Sequence, residues 1–181
     1  KMQKIITLAL TVIFSITTYG CTMPDTTPSQ DNVTNEVKND DVKINNITNR
    51  ETIQLFYGSS ENEKLVTEEV QITFSNPSDK YQLALEALFN GPADSTLSKN
   101  IPSGTKVYET TVQNQDIIVD LNSNFSGFPG SMAEILAVGS IVNTLTQFEE
   151  IERVKILVEG EELIGPSGNP RGFMTEFPLE P

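Results

Sequence analysis

Acidic side chains are the groups in this sequence with most scope for chemistry, because their usual partners are missing. The 181 residues contain no histidine and one cysteine, Cys21. A Ser-His-Asp relay therefore lacks its base, and a zinc site lacks imidazole ligands. No G-x-G-x-x-G or P-loop pattern is present. Carboxylate pairs remain: Glu68-Glu69, Glu149-Glu150 and Glu161-Glu162. Two carboxylates can share acid and base roles in glycoside hydrolysis. Adjacent residues on a strand point to opposite faces, however, so these pairs read as solvated surface. Asp120 is the stronger candidate, placed near the end of the apolar run Ile117–Leu121 and just before Asn122-Ser123-Asn124. It could serve a hydrolase together with a distant glutamate, or ligate calcium, although the spacing fits no EF-hand loop. The favoured reading is a structural turn carboxylate that accepts backbone N–H groups of the turn after it. The expectation is no catalytic residue, no metal and no cofactor.

Phe125 and Phe128 lie in the loop that follows Asp120. They either cap the core or form an exposed recognition loop, and they are the candidate interaction surface. The elements around them read as follows. Ser131-x-x-Glu134 has the form of a capping box and opens a helix to Phe148. Between Glu134 and Glu149 no residue is charged, and Ile135, Val138, Val142 and Leu145 recur at helical spacing. A helix this apolar must be covered over most of its circumference.

Strands are expected over Thr52–Tyr57 and Leu65–Phe74, with Asn76-Pro77 as a break. A helix from Ser78 or Asp79 to Asn90 would bury Tyr81, Ala84, Leu85, Leu88 and Phe89 and turn Lys80, Gln82 and Glu86 outward, ending at Gly91-Pro92. Lys106–Val112 and Ile117–Leu121 form a hairpin. Arg153–Val158 is a strand, turned at Glu159-Gly160 toward Leu163-Ile164. From Gly165 onward the chain, rich in proline and glycine, is expected to be irregular. The order β-β-α-β-β-α-β-β predicts an α+β fold, with two helices packed on one face of a mixed or antiparallel sheet.

The N-terminal region carries an address. Lys1-Met-Gln-Lys4 and the apolar run Ile5–Ile16 fit a secretory signal, the run being too short to span a bilayer as a helix. Thr18-Tyr19-Gly20-Cys21 resembles a bacterial lipobox, with Thr18 where leucine is usual. It implies acylation of Cys21 and a membrane tether. The expected divisions are a signal peptide (1–20), a polar linker (21–50), one folded domain (51–165) and a tail (166–181). A coil the length of the linker spans roughly 30 Å. Cleavage before Cys21 removes Lys1 and Lys4 and takes the net charge from −13 to −15. Such a surface repels phosphate backbones and anionic headgroups, so nucleic acid is not an expected partner and the membrane contact falls to the lipid.

Several stretches together resemble the GerMN domain family. They are Ala84-Leu-Glu-Ala-Leu88 ending in Gly91-Pro92, Ile101-Pro-Ser-Gly-Thr105, Ile118-Val-Asp-Leu121 with Phe125 nearby, Ile141-Val-Asn-Thr-Leu-Thr146, and Val154–Gly160. The resemblance implies a compact α+β domain akin to ring-building motifs, in a bacterial lipoprotein outside the cytoplasmic membrane. It further implies a non-enzymatic role in assembling envelope, sporulation or germination complexes through protein partners. Two other readings stay open: a peptidoglycan- or glycan-binding module, disfavoured by the absence of tryptophan, and the hydrolase built on Asp120.

Overall fold

The computed structural model describes residues 48–61 and 64–179. The expected signal peptide, Cys21 and nearly all of the linker lie outside the described residues. The elements are β1 (Asn49–Gly58), β2 (Leu65–Phe74), α1 (Asp79–Asn90), β3 (Val107–Gln113), β4 (Asp116–Leu121), a 3-10 turn (Ser123–Ser126), α2 (Ser131–Thr146), β5 (Arg153–Val158) and β6 (Glu161–Glu162). This is the α+β order expected. β1 starts at Asn49 rather than Thr52 because β2 is long enough to pair Asn49 with Phe74 and Arg50 with Thr73. The strands divide into two sheets, an antiparallel β1-β2 hairpin and a four-stranded sheet in the order β3-β4-β5-β6. β4 and β5 run parallel, since α2 carries the chain back between them, as a parallel pair requires.

α2 is the centre of the molecule. Every residue from Leu136 to Leu145 is buried, so the helix is covered on all sides. It contacts β1, β2, β5 and α1. Burying a leucine, isoleucine or valine contributes roughly 1.5–3 kcal/mol; Val138, Ile141, Val142 and Leu145 are each 0% exposed. A helix so enclosed still carries Ser140, Asn143, Thr144 and Gln147, spaced three and four apart. Each directs its polar atoms to another element. Ser140 accepts from the Asn100 side chain (3.0 Å) and Thr144 from the Phe56 N–H (3.5 Å). Gln147 both accepts the Gln54 N–H and donates to the Gln54 carbonyl, at 2.7 Å each. Asn143 brackets Phe177 in the same way, donating to its carbonyl (3.0 Å) and accepting its N–H (2.8 Å).

The segment after Gly165 is therefore irregular in form but pinned. Besides the Asn143 clamp, Met174 exchanges two backbone bonds with Val154, and Leu179 accepts from the Leu65 N–H. Asn143→Leu leaves both Phe177 backbone groups without partners and should cost about 2 kcal/mol. Limited proteolysis should then cut near Phe177 well before the core; an unchanged digestion pattern would contradict the clamp.

α1 buries Tyr81, Ala84, Leu85, Leu88 and Phe89, the five residues expected. Lys80 departs from expectation. Its ammonium lies 5.3 Å from the centre of the Tyr81 ring and 4.8 Å from that of Phe148, and it pairs with Glu150. The ammonium thus sits against two aromatic rings and a carboxylate at once. The capping box does not form. Gly130 holds the cap position, so Ser131 already lies inside the helix, and Glu134 turns away to Arg171. β6 starts at Glu161, earlier than expected, because Glu159 (φ 53°) and Gly160 (φ 80°) make a two-residue turn that restores pairing at once.

Tyr57 is 1% exposed. Burial first, and Glu68 second, push its phenol up from 10.0 to about 12. A group whose folded pKa is raised contributes its full stability below the unfolded value and loses it as pH climbs through the folded one. The contribution of Tyr57 should thus be full below pH 10 and be lost between pH 10 and about 12, a change on the order of 2 kcal/mol. Tyr81 is shifted in the same direction, by burial and then by its hydrogen bond to Glu150. Alkaline denaturation curves should show Tyr57→Phe resisting this loss.

Candidate functional site

Asp120 does not accept from the turn that follows it. Its Oδ1 receives the Gly160 N–H at 2.9 Å, across the sheet in the β5–β6 turn. Glu159 makes the reciprocal tie: its Oε1 accepts the Ser123 N–H (2.8 Å) and the Tyr108 hydroxyl (3.2 Å). The two acids join neighbouring turns because β4 and β5 are parallel and end together, a pairing that sequence order alone does not reveal. Desolvation, then the charges of Glu159 and Asp120, hold the Tyr108 phenol above its ordinary range.

The paired acids are likewise committed separately. Glu68 accepts the N–H groups of Ala93 and Asp94 at 2.8–3.1 Å. Glu150 binds Lys80 and the Tyr81 hydroxyl, the latter at 2.8 Å; burial opposes these contacts, yet its pKa falls below the usual range. Glu162 pairs with Lys155 at 3.3 Å. Among the described residues no cluster of three metal-ligating side chains occurs, and no helix is long and apolar enough to cross a membrane.

Phe125 is not an interaction surface. It is 0% exposed, because the 3-10 turn folds its ring inward, 5.1 Å from Phe128 at an interplanar angle of 87°. Phe128 is half-buried and lines an open groove of about 430 Å³ with Ile101, Met132, Ala133 and Leu136. Lys99 is the charged side chain on its wall. The exposed bulky residue here is Met132, 47% accessible.

A second feature escapes residue-by-residue reading. β3 is an outer strand, and Gln113 pairs with Asp116 across a two-residue turn. Hydrogen-bonded and open positions alternate along such a ladder. Gln113, Thr111 and Glu109 thus bond to β4, while Thr110 and Val112 direct N–H and C=O outward. Among the described residues neither makes a backbone bond beyond the ladder. Tyr108 and Val112 fall within the expected hairpin, but only the structure shows that both are exposed and that their strand lies outside.

Comparisons with known proteins agree with this architecture. A family model described as "Germane: Sporulation and spore germination" matches residues 54–164. The first GerMN domain of the sporulation protein GerM from Bacillus subtilis superposes with a TM-score of 0.52 at 21% identity, covering 72% of this chain and 96% of that one. The tandem GerMN domains of the same protein give 0.55 at 21% identity, covering 74% of this chain and 46% of theirs, so this chain spans about half of the tandem. A protein from Clostridium perfringens gives 0.51 at 19% identity, with 70% of this chain and 87% of that one covered. At such identities the likeness is one of fold. No curated protein matches the sequence. The matched segment takes in both helices and runs from within β1 past the end of β6, and on that extent the chain belongs to the Germane (GerMN) family of sporulation and spore germination domains.

Proposed function

We propose that this chain is a lipid-anchored protein of the bacterial envelope whose GerMN domain joins other envelope proteins into an assembly, in sporulation or germination. Cys21 would carry the lipid, and the polar linker would hold the domain clear of the membrane. The family match over 54–164 carries this reading. The use of the acidic residues supports it: Asp120, Glu159, Glu68 and Glu150 each bind the protein's own backbone or side chains. A role in contact rather than turnover needs surface, and the groove beside Phe128 and the outer edge of β3 supply it.

Three measurements test the reading. Mass spectrometry of the mature N-terminus should find acyl chains on Cys21; an unmodified cysteine would remove the anchor. Cross-linking in intact membranes should join the domain to a defined envelope protein. Recovery of the uncross-linked monomer alone would overturn the assembly role, and sedimentation with purified peptidoglycan would move the role to the wall.

A further inference from the structure

We propose that the outer edge of β3, from Tyr108 to Gln113, receives a strand from another protein, an extended segment that alternates apolar and basic residues. The proposal rests on the assembly reading above and gives it a surface and a partner chemistry.

Among the described residues the other strand edges are closed or polar. On β1, Gln54 is bonded by Gln147, Phe56 by Thr144 and Gly58 by Ser98. β5 is covered at Val154 by Met174. β2 begins under Leu179, and its open positions, Thr67, Glu69, Gln71 and Thr73, are all polar and exposed. β3 differs. Its open backbone groups at Thr110 and Val112 stand beside two bulky apolar side chains, Tyr108 (55% exposed) and Val112 (40%). An unpaired edge of this kind is a template for strand addition.

The two faces of the edge specify the alternation. Thr110 and Val112 pair with Val119 and Ile117, both 0% exposed, and so lie on the core face. An added apolar residue there would cover Val112. Glu109, Thr111 and Gln113 lie on the opposite face with Asp120 and Asp116. Arg153 neutralises Asp116 through two bonds of 2.8 and 2.7 Å. Among the described residues Glu109 pairs with no cation, and Asp120 and Glu159 bond only to N–H groups and a phenol. The face beside Glu109 is therefore acidic, in a chain of net charge −13, and favours lysine or arginine on the incoming strand. The register shift between Val107 and Glu109 ends the regular edge at Tyr108.

The test uses the full chain and a synthetic octapeptide alternating valine and lysine, followed by amide exchange. Binding should slow exchange at Thr110 and Val112, and replacing lysine by glutamate should weaken binding about tenfold or more at low salt. Val112→Pro removes an outward N–H without breaking the β3–β4 ladder and should abolish binding. Gln71→Pro, at an outward position of β2, should not. Should the proline variant fail to fold, Glu109→Lys at an exposed position discriminates equally well: weaker binding of the lysine peptide and tighter binding of the glutamate peptide are expected. Unchanged exchange at Thr110 and Val112, protection along β2 instead, or equal affinity for both peptides would overturn the proposal. So would protection that grows with protein concentration alone, which would make a second copy the occupant. Membrane cross-linking separates the two ideas: a partner held equally by wild type and Val112→Pro leaves the assembly reading standing and removes this surface.

Discussion

Phe125→Ala is expected to lower the unfolding free energy by about 3–5 kcal/mol. The ring is 0% exposed, so its removal loses the whole transfer contribution and opens a cavity within the core. The site has little freedom to collapse. Its backbone N–H is tied to the Asn122 carbonyl at 3.1 Å, and Asn122 is in turn bonded on both sides, to Lys106 and Gly104. The edge-to-face contact with Phe128 also disappears, worth about 1 kcal/mol beyond area. Against a total stability of about 5–15 kcal/mol for a domain, that is a large fraction. Urea denaturation should show the midpoint falling with the slope unchanged. Phe128→Ala should cost about half as much or less, since that ring is half-buried and faces the groove. A Phe125→Ala protein of wild-type stability that had lost a binding partner would restore the recognition-loop reading.

What the sequence made legible was periodic. The α1 stripe from Tyr81 to Phe89 and the full span of β2 follow from spacing and from Asn76-Pro77 and Gly91-Pro92 as stops. The enclosure of α2 follows from its lack of charge between Glu134 and Glu149. What stayed hidden depends on partners far along the chain. Nothing local says that Gln147 completes the edge of Gln54, or that Asn143 holds Phe177, because an amide at a helical position is equally consistent with solvent. The same holds for Lys80, whose apparent outward position conceals two aromatic faces supplied by Tyr81 and Phe148. The loop phenylalanines were ambiguous for a different reason. An apolar residue in a turn signals either core or contact surface, and only the inward fold of the 3-10 turn separates Phe125 from Phe128.

Arg171→Met is expected to destabilise the fold by about 3 kcal/mol, and adding Glu134→Leu to recover most of that loss. The side chains of Glu134 and Arg171 are 11% and 16% exposed and meet at 2.7 Å. Removing the guanidinium alone leaves a carboxylate in a setting water scarcely reaches, which is the costly outcome; removing both charges leaves apolar groups of comparable volume. The N-terminus of α2 offsets part of the cost in the single variant, since Glu134 sits in its first turn, and this places the value at the lower end of the range for broken buried pairs. The pair also explains why the capping box is absent. A glutamate reaching back to Ser131 would bond one exposed N–H, whereas Glu134 bonds two N–H groups of a cation carried by the C-terminal segment. That segment returns to Leu163 through the Arg171 N–H at 3.0 Å and then to Val154 and Asn143. Loss of Arg171 should therefore loosen residues 171–177 before the rest of the domain, visible as faster amide exchange at Met174 and Phe177 in the single variant. Equal stability of the single and double variants would mean that the ion pair is surface ornament and that the tail is held by its backbone bonds alone.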